Sequence, residues 1–310
     1  MDADSTQLGD IEIYTPMEML AKGLKVLGWD ETNMTSRLSI KTKKDRFRGH
    51  YGSNPHVAAQ MWEDLQTTTV EAARIDPSKR NLLHFFWGMH FLKRYPKSSI
   101  EAEQIWKVSE NTYVDYSWYY VEKLRALKAV KLCWPSDNFG DDIWIGTVDG
   151  THFRNQEIAH PDIPKDPSIF SFKHHSAGFN YEIVVALRES KIVWFSGPHE
   201  AGDWNDIKIF ANKGLKAKLK RLGKRVIADK GYRGYPRLIS LPNSYDTKEV
   251  SKFKSRARCR HEKLNGKIAE FECMNNIGFR HSKEKLQACF EAVAVIVQYK
   301  MEMGEPLYDI

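Results

Sequence analysis

Three acidic residues define the chemistry open to this sequence. The run Ile143-Trp-Ile-Gly-Thr-Val-Asp149-Gly150 is short and apolar, without a helical period. It is rich in residues favoured on strands, so it reads as a buried strand that delivers Asp149 to a turn-forming glycine. Arg225-Val-Ile-Ala-Asp229, followed by Lys230-Gly-Tyr232, repeats the arrangement. A third acid, Glu262, opens a helix-like stretch that ends at Phe271. Three clustered carboxylates repel one another, each pair costing about 4 kcal/mol at about 4 Å and an effective dielectric near 20. Three such pairs cost roughly 12 kcal/mol, as much as a whole domain's stability. The trio therefore needs protons, salt bridges or cations, and its hard oxygen ligands select Mg²⁺ or Mn²⁺ over zinc. Two such ions about 3.5–4 Å apart activate the attacking oxygen of a phosphodiester exchange and stabilise the leaving one.

Other chemistries find less support. His199-Glu200 and His261-Glu262 are the only His-Glu pairs, and neither has the second histidine of a zinc-protease helix. There is no Walker loop, no GxGxxG and no GxSxG elbow. His152, His174 and His175 are available to touch substrate, but satisfied structural histidines are the ordinary reading. Cys133, Cys259, Cys273 and Cys289 are widely spaced and form no CxxC, which points to an intracellular protein with reduced thiols. No run reaches the roughly 18 apolar residues of a membrane span. The N-terminus, MDADSTQLGDIEIY, lacks a signal-peptide layout.

The net charge of +7 is unevenly placed. Residues 1–139 carry 19 Lys/Arg and 18 Asp/Glu, whereas Lys213–Lys267 carries 18 Lys/Arg against four acids. Two of those four are Asp229 and Glu262. A basic field around carboxylates suits a polyanionic substrate such as nucleic acid. Lys252, Lys254, Arg256, Arg258, Arg260 and Lys263 surround Glu262 in sequence and are the expected phosphate contacts.

The elements that must position these residues follow from periodicity and punctuation. Met17–Leu27, Pro55–Leu65 and Leu82–Leu92 read as helices, and the basic run Lys41–Arg48 as a connector. Ser98-x-x-Glu101 has the form of a capping box opening a helix over Ser99–Val108. A break at Ser109–Asn111 leads to a longer helix over Thr112–Lys128, with Val114, Trp118, Val121 and Leu124 inward. Residues 98–128 thus have the outline of a helix-turn-helix. The turn-rich Asp137–Asp142 divides an N-terminal helical region, 1–139, from a second domain, 140–310.

Beyond the Asp149 strand, His160–Ser168 reads as a proline loop. Tyr181–Leu187 and Lys191–Phe195 read as a hairpin, and Gly197–Asp206 as a loop. Ile207–Lys218 reads as one helix, Arg225–Ala228 and Leu238–Leu241 as strands, and Leu286–Met301 as the last helix. Leu264, Ile268 and Phe271 recur at helical spacing and should face the sheet.

Four segments in order resemble the PIF/Harbinger-type DDE transposases and their derived nucleases. They are Asp149-Gly-Thr-His152, Gly197-Pro-x-x-Ala-Gly with Asn205-Asp206-x-x-x-Phe210, Ala228-Asp229-Lys-Gly-Tyr232, and Arg256-x-Arg258-x-x-His-Glu262-x-x-Asn265. Phe290-Glu-Ala and Gln298-Tyr299 extend the likeness. It implies an α/β, RNase H-like catalytic domain with a mixed five-stranded sheet, flanking helices, and its first and fourth strands adjacent. It implies Asp149, Asp229 and Glu262 as the metal-binding catalytic triad, using Mg²⁺ or Mn²⁺. Asn265, His152 and Asp206 would stand around them, Asp206 with the ordinary role of capping the following helix.

The implied activity is DNA cleavage at transposon ends and transfer of the 3′-hydroxyl strand. The alternatives are a domesticated nuclease without transposition, and a DNA-binding adaptor with a vestigial triad. Nuclear location, a homodimer and a Myb-like accessory partner are further implications. Related sequences often carry a basic residue near position 269, where this chain has Ala269.

Overall fold

The computed structural model describes residues 11–29, 37–134, 142–156, 165–275 and 278–310. The chain divides into two compact units, residues 1–127 and 128–310. The expected boundary segment 137–142 and the proline loop 160–168 fall largely outside the described residues.

The first unit is helical: α1 (Pro16–Lys25), α2 (Ile40–Tyr51), α3 (Pro55–Thr67), α4 (Leu82–Arg94), α5 (Ser98–Trp106) and α6 (Glu110–Ala126). Side-chain caps from Thr15, Ser39, Asn54, Asn81 and Ser109 start five of these helices, each satisfying an otherwise unpaired first-turn N–H. Two expectations are corrected. The basic run Lys41–Arg48 is helix, not connector, because Phe47 and Tyr51 on the same helix are fully buried and the Tyr51 hydroxyl donates to Gly23 O at 2.8 Å. Ser98 makes no capping box, since α5 has no side-chain cap and Glu101 instead pairs with Arg94 at 2.7 Å. The buried side of α6 includes Tyr113, Trp118, Val121 and Leu124, and α6 packs on α4.

The second unit begins with α7 (Lys128–Lys131) and is built on a mixed sheet of six strands. These are β1 (Trp144–Arg154), β2 (Phe170–Ser171), β3 (Ser176–Ala186), β4 (Ile192–Glu200), β5 (Arg225–Ile227) and β6 (Ile239–Ser240). Five of them run in the order β4-β3-β1-β5-β6, and β2 adds a short pairing to the start of β3. β1 is antiparallel to β3 and parallel to β5, so the strands of Asp149 and Asp229 are neighbours, as the resemblance implies. The sheet has one strand more than expected, the two-residue β2.

Helices cover both faces. α8 (Asp206–Asn212) and α9 (Leu215–Leu222) close a core containing Val148, Val184, Phe210, Leu219, Val226 and Tyr232. On the other face, Ala257 of α10 (Lys248–Ala269) meets Ile227 and Leu187. Phe290 of α11 (Lys283–Glu302) stacks among Phe153, Tyr181 and Phe195. Leu264, Ile268 and Phe271 are fully buried, as their spacing predicts.

Four boundaries differ from the sequence reading. β1 runs five residues beyond Asp149, paired throughout with β3. β4 continues to Glu200. The expected single helix at 207–218 is broken at Gly214, whose φ of 105° is left-handed. α10 begins at Lys248, capped by Thr247, so Glu262 lies deep inside a helix and does not open one. Among the described residues no helix is long and apolar enough to cross a membrane, and the four cysteines form no disulfide.

Candidate active site

Sheet register brings the two strand aspartates together. Thr147 on β1 pairs with Ile227 on β5 in parallel register. Two residues beyond that pair stand Asp149, still on β1, and Asp229, just past the end of β5, near enough for the charge of Asp229 to act on Asp149. β5 leaves the sheet here. Asp229 Oδ1 accepts the Gly231 N–H at 2.8 Å and caps the short turn Lys230–Tyr232. Asp149 Oδ1 accepts the N–H of Gly150 at 2.9 Å. Burial pushes the Asp149 carboxyl up to about 6, and the charges of Asp229 and Asp206 add to the rise against the Gly150 N–H and Lys173.

Asp206 has a larger place than the sequence assigned it. The cap of α8 is Asn205, whose side chain accepts the Lys208 N–H. Asp206, in the first turn, rests against two glycines. A β-carbon on Gly150 would collide with the Asp206 carboxylate, and one on Gly231 would lie 3.2 Å from its Oδ2 and 3.0 Å from Asp229 Oδ1. Gly150 therefore serves close approach within a strand and not a turn. Burial raises the Asp206 carboxyl, Lys173 opposes, and Asp229 adds to the rise. Lys173 is a loose counterion, 3.9 Å away and 73% exposed.

α10 is tied to β1 on either side of Asp149. The His261 ring hydrogen-bonds the Thr147 hydroxyl at 3.0 Å, and the Thr151 hydroxyl donates to Asn265 Oδ1 at 3.1 Å. These bonds set the helical turn containing Glu262 beside the strand segment containing Asp149. Glu262 itself is exposed. Among the described residues no three His, Cys, Asp or Glu side chains stand close enough to hold a metal ion. Asp149 and Asp229 are brought within electrostatic reach of each other, and Glu262 is brought near only through its helix.

His152 has structural partners: its ring bonds Asn180 and Ser176 at 3.0 and 3.2 Å and stacks on His174 at 4.6 Å. The basic set of α10 is corrected in part. Lys254 is buried and pairs with Asp246 at 2.7 Å. Buried Arg260 donates to the carbonyls of Tyr308 and Glu189, and Arg256 donates to Asp309 O at 2.6 Å. Buried Lys254 and Arg260 hold the fold, while Lys252, Arg256 and Lys263 are exposed and Arg258 is half-buried.

The sequence reading missed Glu182. This residue of β3 lies opposite Gly150 in register, is fully buried, and among the described residues neither carboxyl oxygen has a hydrogen-bond partner. Burial pushes its carboxyl up to about 8, Trp194 opposing and Asp206 adding. The signal was available: a lone acid inside the apolar run Tyr181–Ala186 is itself an anomaly.

Residues 148–298 match the family model described as DDE superfamily endonuclease. The matched span starts one residue before Asp149 and reaches into α11, so it holds Asp149, Asp206, Asp229, Glu262 and Asn265 in one segment. No curated protein and no solved structure matches the chain. The donor set fits a hard divalent cation: every candidate ligand is a carboxylate oxygen, and Asp149 and Asp206 are raised chiefly by burial, with neighbouring carboxylate charge adding to the rise.

Proposed function

We propose that this chain is a metal-dependent DNA endonuclease of the PIF/Harbinger transposase type, its chemistry carried by residues 140–310. The observation that carries the reading is that Asp149 on β1 and Asp229, just past the end of the neighbouring parallel strand β5, lie close enough to act on one another electrostatically, inside the span matching an endonuclease family. Asp149, Asp229 and Glu262 would hold Mg²⁺ or Mn²⁺ through carboxylate oxygens. Bound there, the ions would lower the pKa of the attacking hydroxyl or water and neutralise charge on the scissile phosphate.

The chain's own residues supply position. Asp229 is oriented by the Gly231 N–H and Asp149 by the Gly150 N–H. His261 and Asn265 hold the Glu262 turn against β1. Glycine at 150 and 231 lets Asp206 approach the pair, where its charge raises the demand for a counterion. Cleavage at transposon ends, strand transfer, nuclear action, a homodimer and a Myb-like partner belong to this reading by family likeness.

Nicking of supercoiled plasmid tests it. The protein should nick with Mg²⁺ or Mn²⁺ and not with EDTA, and Asp149→Asn, Asp229→Asn and Glu262→Gln should each abolish nicking while still binding DNA. Equal nicking by all three variants sinks the reading, as does the absence of divalent-dependent nicking.

A further inference from the structure

With Lys254, Arg256, Arg260 and Lys267 of α10 engaged in internal bonds, half of that helix's eight basic residues are committed within the fold. The largest excess lies elsewhere. Between residues 207 and 245 the chain carries eleven Lys and Arg and one acid, Asp229. Two structural elements collect this charge: α9, and the turn that follows Asp229.

α9 buries Leu215 and Leu219 against the sheet. Lys216 and Lys220, four residues apart, fall on one flank of that apolar stripe. Lys216 Nζ sits 4.7 Å over the ring of Tyr235, which joins this flank to the turn carrying Arg233 and Arg237. Lys220, Lys230, Arg233 and Arg237 are exposed, and none of them has an acidic partner among the described residues. Lys213 is held the same way, 3.8 Å over Trp204. A lysine seated on an aromatic face is ordered without being neutralised, so the stripe keeps its charge in place. Solvated basic faces ordinarily interleave acids, as Glu122 and Arg125 do on α6; an unrelieved row repels itself and is compensated by a polyanion. The stripe begins at Lys230, directly after Asp229.

We infer that Lys216, Lys220, Lys230, Arg233 and Arg237 form the track along which the backbone of duplex DNA runs to the Asp149–Asp229 pair. This inference rests on the nuclease reading for its destination, but its test reads binding alone. The probe is a short fluorescein-labelled DNA duplex, titrated by anisotropy across a salt series in EDTA.

Each phosphate contact contributes about 0.9 to the slope of log K against log salt. The combined variant Lys216→Gln, Lys220→Gln, Arg233→Gln, Arg237→Gln should flatten that slope by about 3–4, more for each charge removed than Lys252→Gln with Lys263→Gln on α10. If the combined variant loses its fold, Lys220→Gln and Arg233→Gln alone should each flatten it by about 1.

An unchanged slope in the folded stripe variants overturns the track, as does an equal loss per charge from the α10 pair. Preference for single-stranded RNA over the duplex overturns the partner. Nicking by the native chain alongside an unchanged slope removes the track and leaves the nuclease reading. A flattened slope in a protein that nicks with no divalent ion removes the nuclease reading and leaves the track.

Discussion

The carboxylate of Asp206 occupies the place where a side chain on Gly150 would begin. Fifty-six positions apart in the chain, the two residues are fitted to one another, and Asp149 stands next to that fit. A methyl group at 150 must push the Asp206 carboxylate away. Gly150→Ala should therefore cost about 1–3 kcal/mol by overpacking and abolish nicking. Removing the obstacle should recover the fold: Gly150→Ala with Asp206→Ala should melt above Gly150→Ala alone. A double-mutant cycle in thermal unfolding decides it, since purely additive effects would mean that the two sites do not couple.

The electrostatics of Asp149 predict a pH signature. Its carboxyl is raised from 3.8 to about 6, so the stability tied to its proton is present below the ordinary value and lost as pH rises through about 6. Above that, the metal-free protein carries a destabilising charge that Asp149→Asn removes. In EDTA near pH 8 the variant should melt higher than the native chain, with the gap closing towards pH 4. Adding Mn²⁺ should raise the melting temperature of the native chain and not that of the variant. A variant that melts lower than the native chain in EDTA at the higher pH would contradict this account of the site.

The sequence made the Asp149 and Asp229 strands legible because β-branched residues and a short apolar run are local signals. The role of Gly150 was not legible, because a glycine after an aspartate has the same local appearance whether it turns the chain or admits a distant carboxylate. The start of α10 was hidden for a related reason. Lys254, Arg260 and His261 are buried on it, where a period of apolar residues would ordinarily mark the inward face. Lys254 is satisfied by Asp246 and the Leu241 carbonyl just ahead of the helix, but Arg260 by the carbonyls of Glu189 and Tyr308 and His261 by Thr147, partners that no window of sequence around those two contains. The helix flanks Leu264, Ile268 and Phe271 were found because there the period is apolar.

Glu182 should titrate with folding. Its carboxyl is raised from 4.5 to about 8, so the native state holds a proton that the unfolded chain has released. The stability this supplies is complete below the ordinary value and is lost as pH rises through about 8. Glu182→Gln keeps the shape of the neutral acid and cannot ionise. Its melting temperature relative to the native chain should rise steadily between about pH 5 and pH 9, by roughly 2–4 °C for each kcal/mol. A constant difference across that range would mean that Glu182 is ionised in the folded protein.

The two hydrogen bonds from α10 to β1 should act on the chemical step more than on DNA binding. Burial pushes the His261 ring down to about 4, so at neutral pH it meets Thr147 as a neutral imidazole. Thr147→Val removes that bond with little change in shape and leaves a buried ring nitrogen unpaired, costing about 1–3 kcal/mol. Asn265→Ala removes the second bond, from Thr151. Both changes loosen the turn holding Glu262 without touching a cation of the basic stripe. Displacement of a catalytic group by about 1 Å can cost on the order of 100-fold in rate, so each variant should lower kcat for nicking while KM and the salt slope of DNA binding stay near native. The combined variant should lose further kcat, because each remaining bond limits the motion that the other's loss permits. Steady-state nicking kinetics at saturating Mn²⁺ separate the alternatives: a raised KM with native kcat would assign the two bonds to substrate binding, and native values for both would remove any role in holding Glu262.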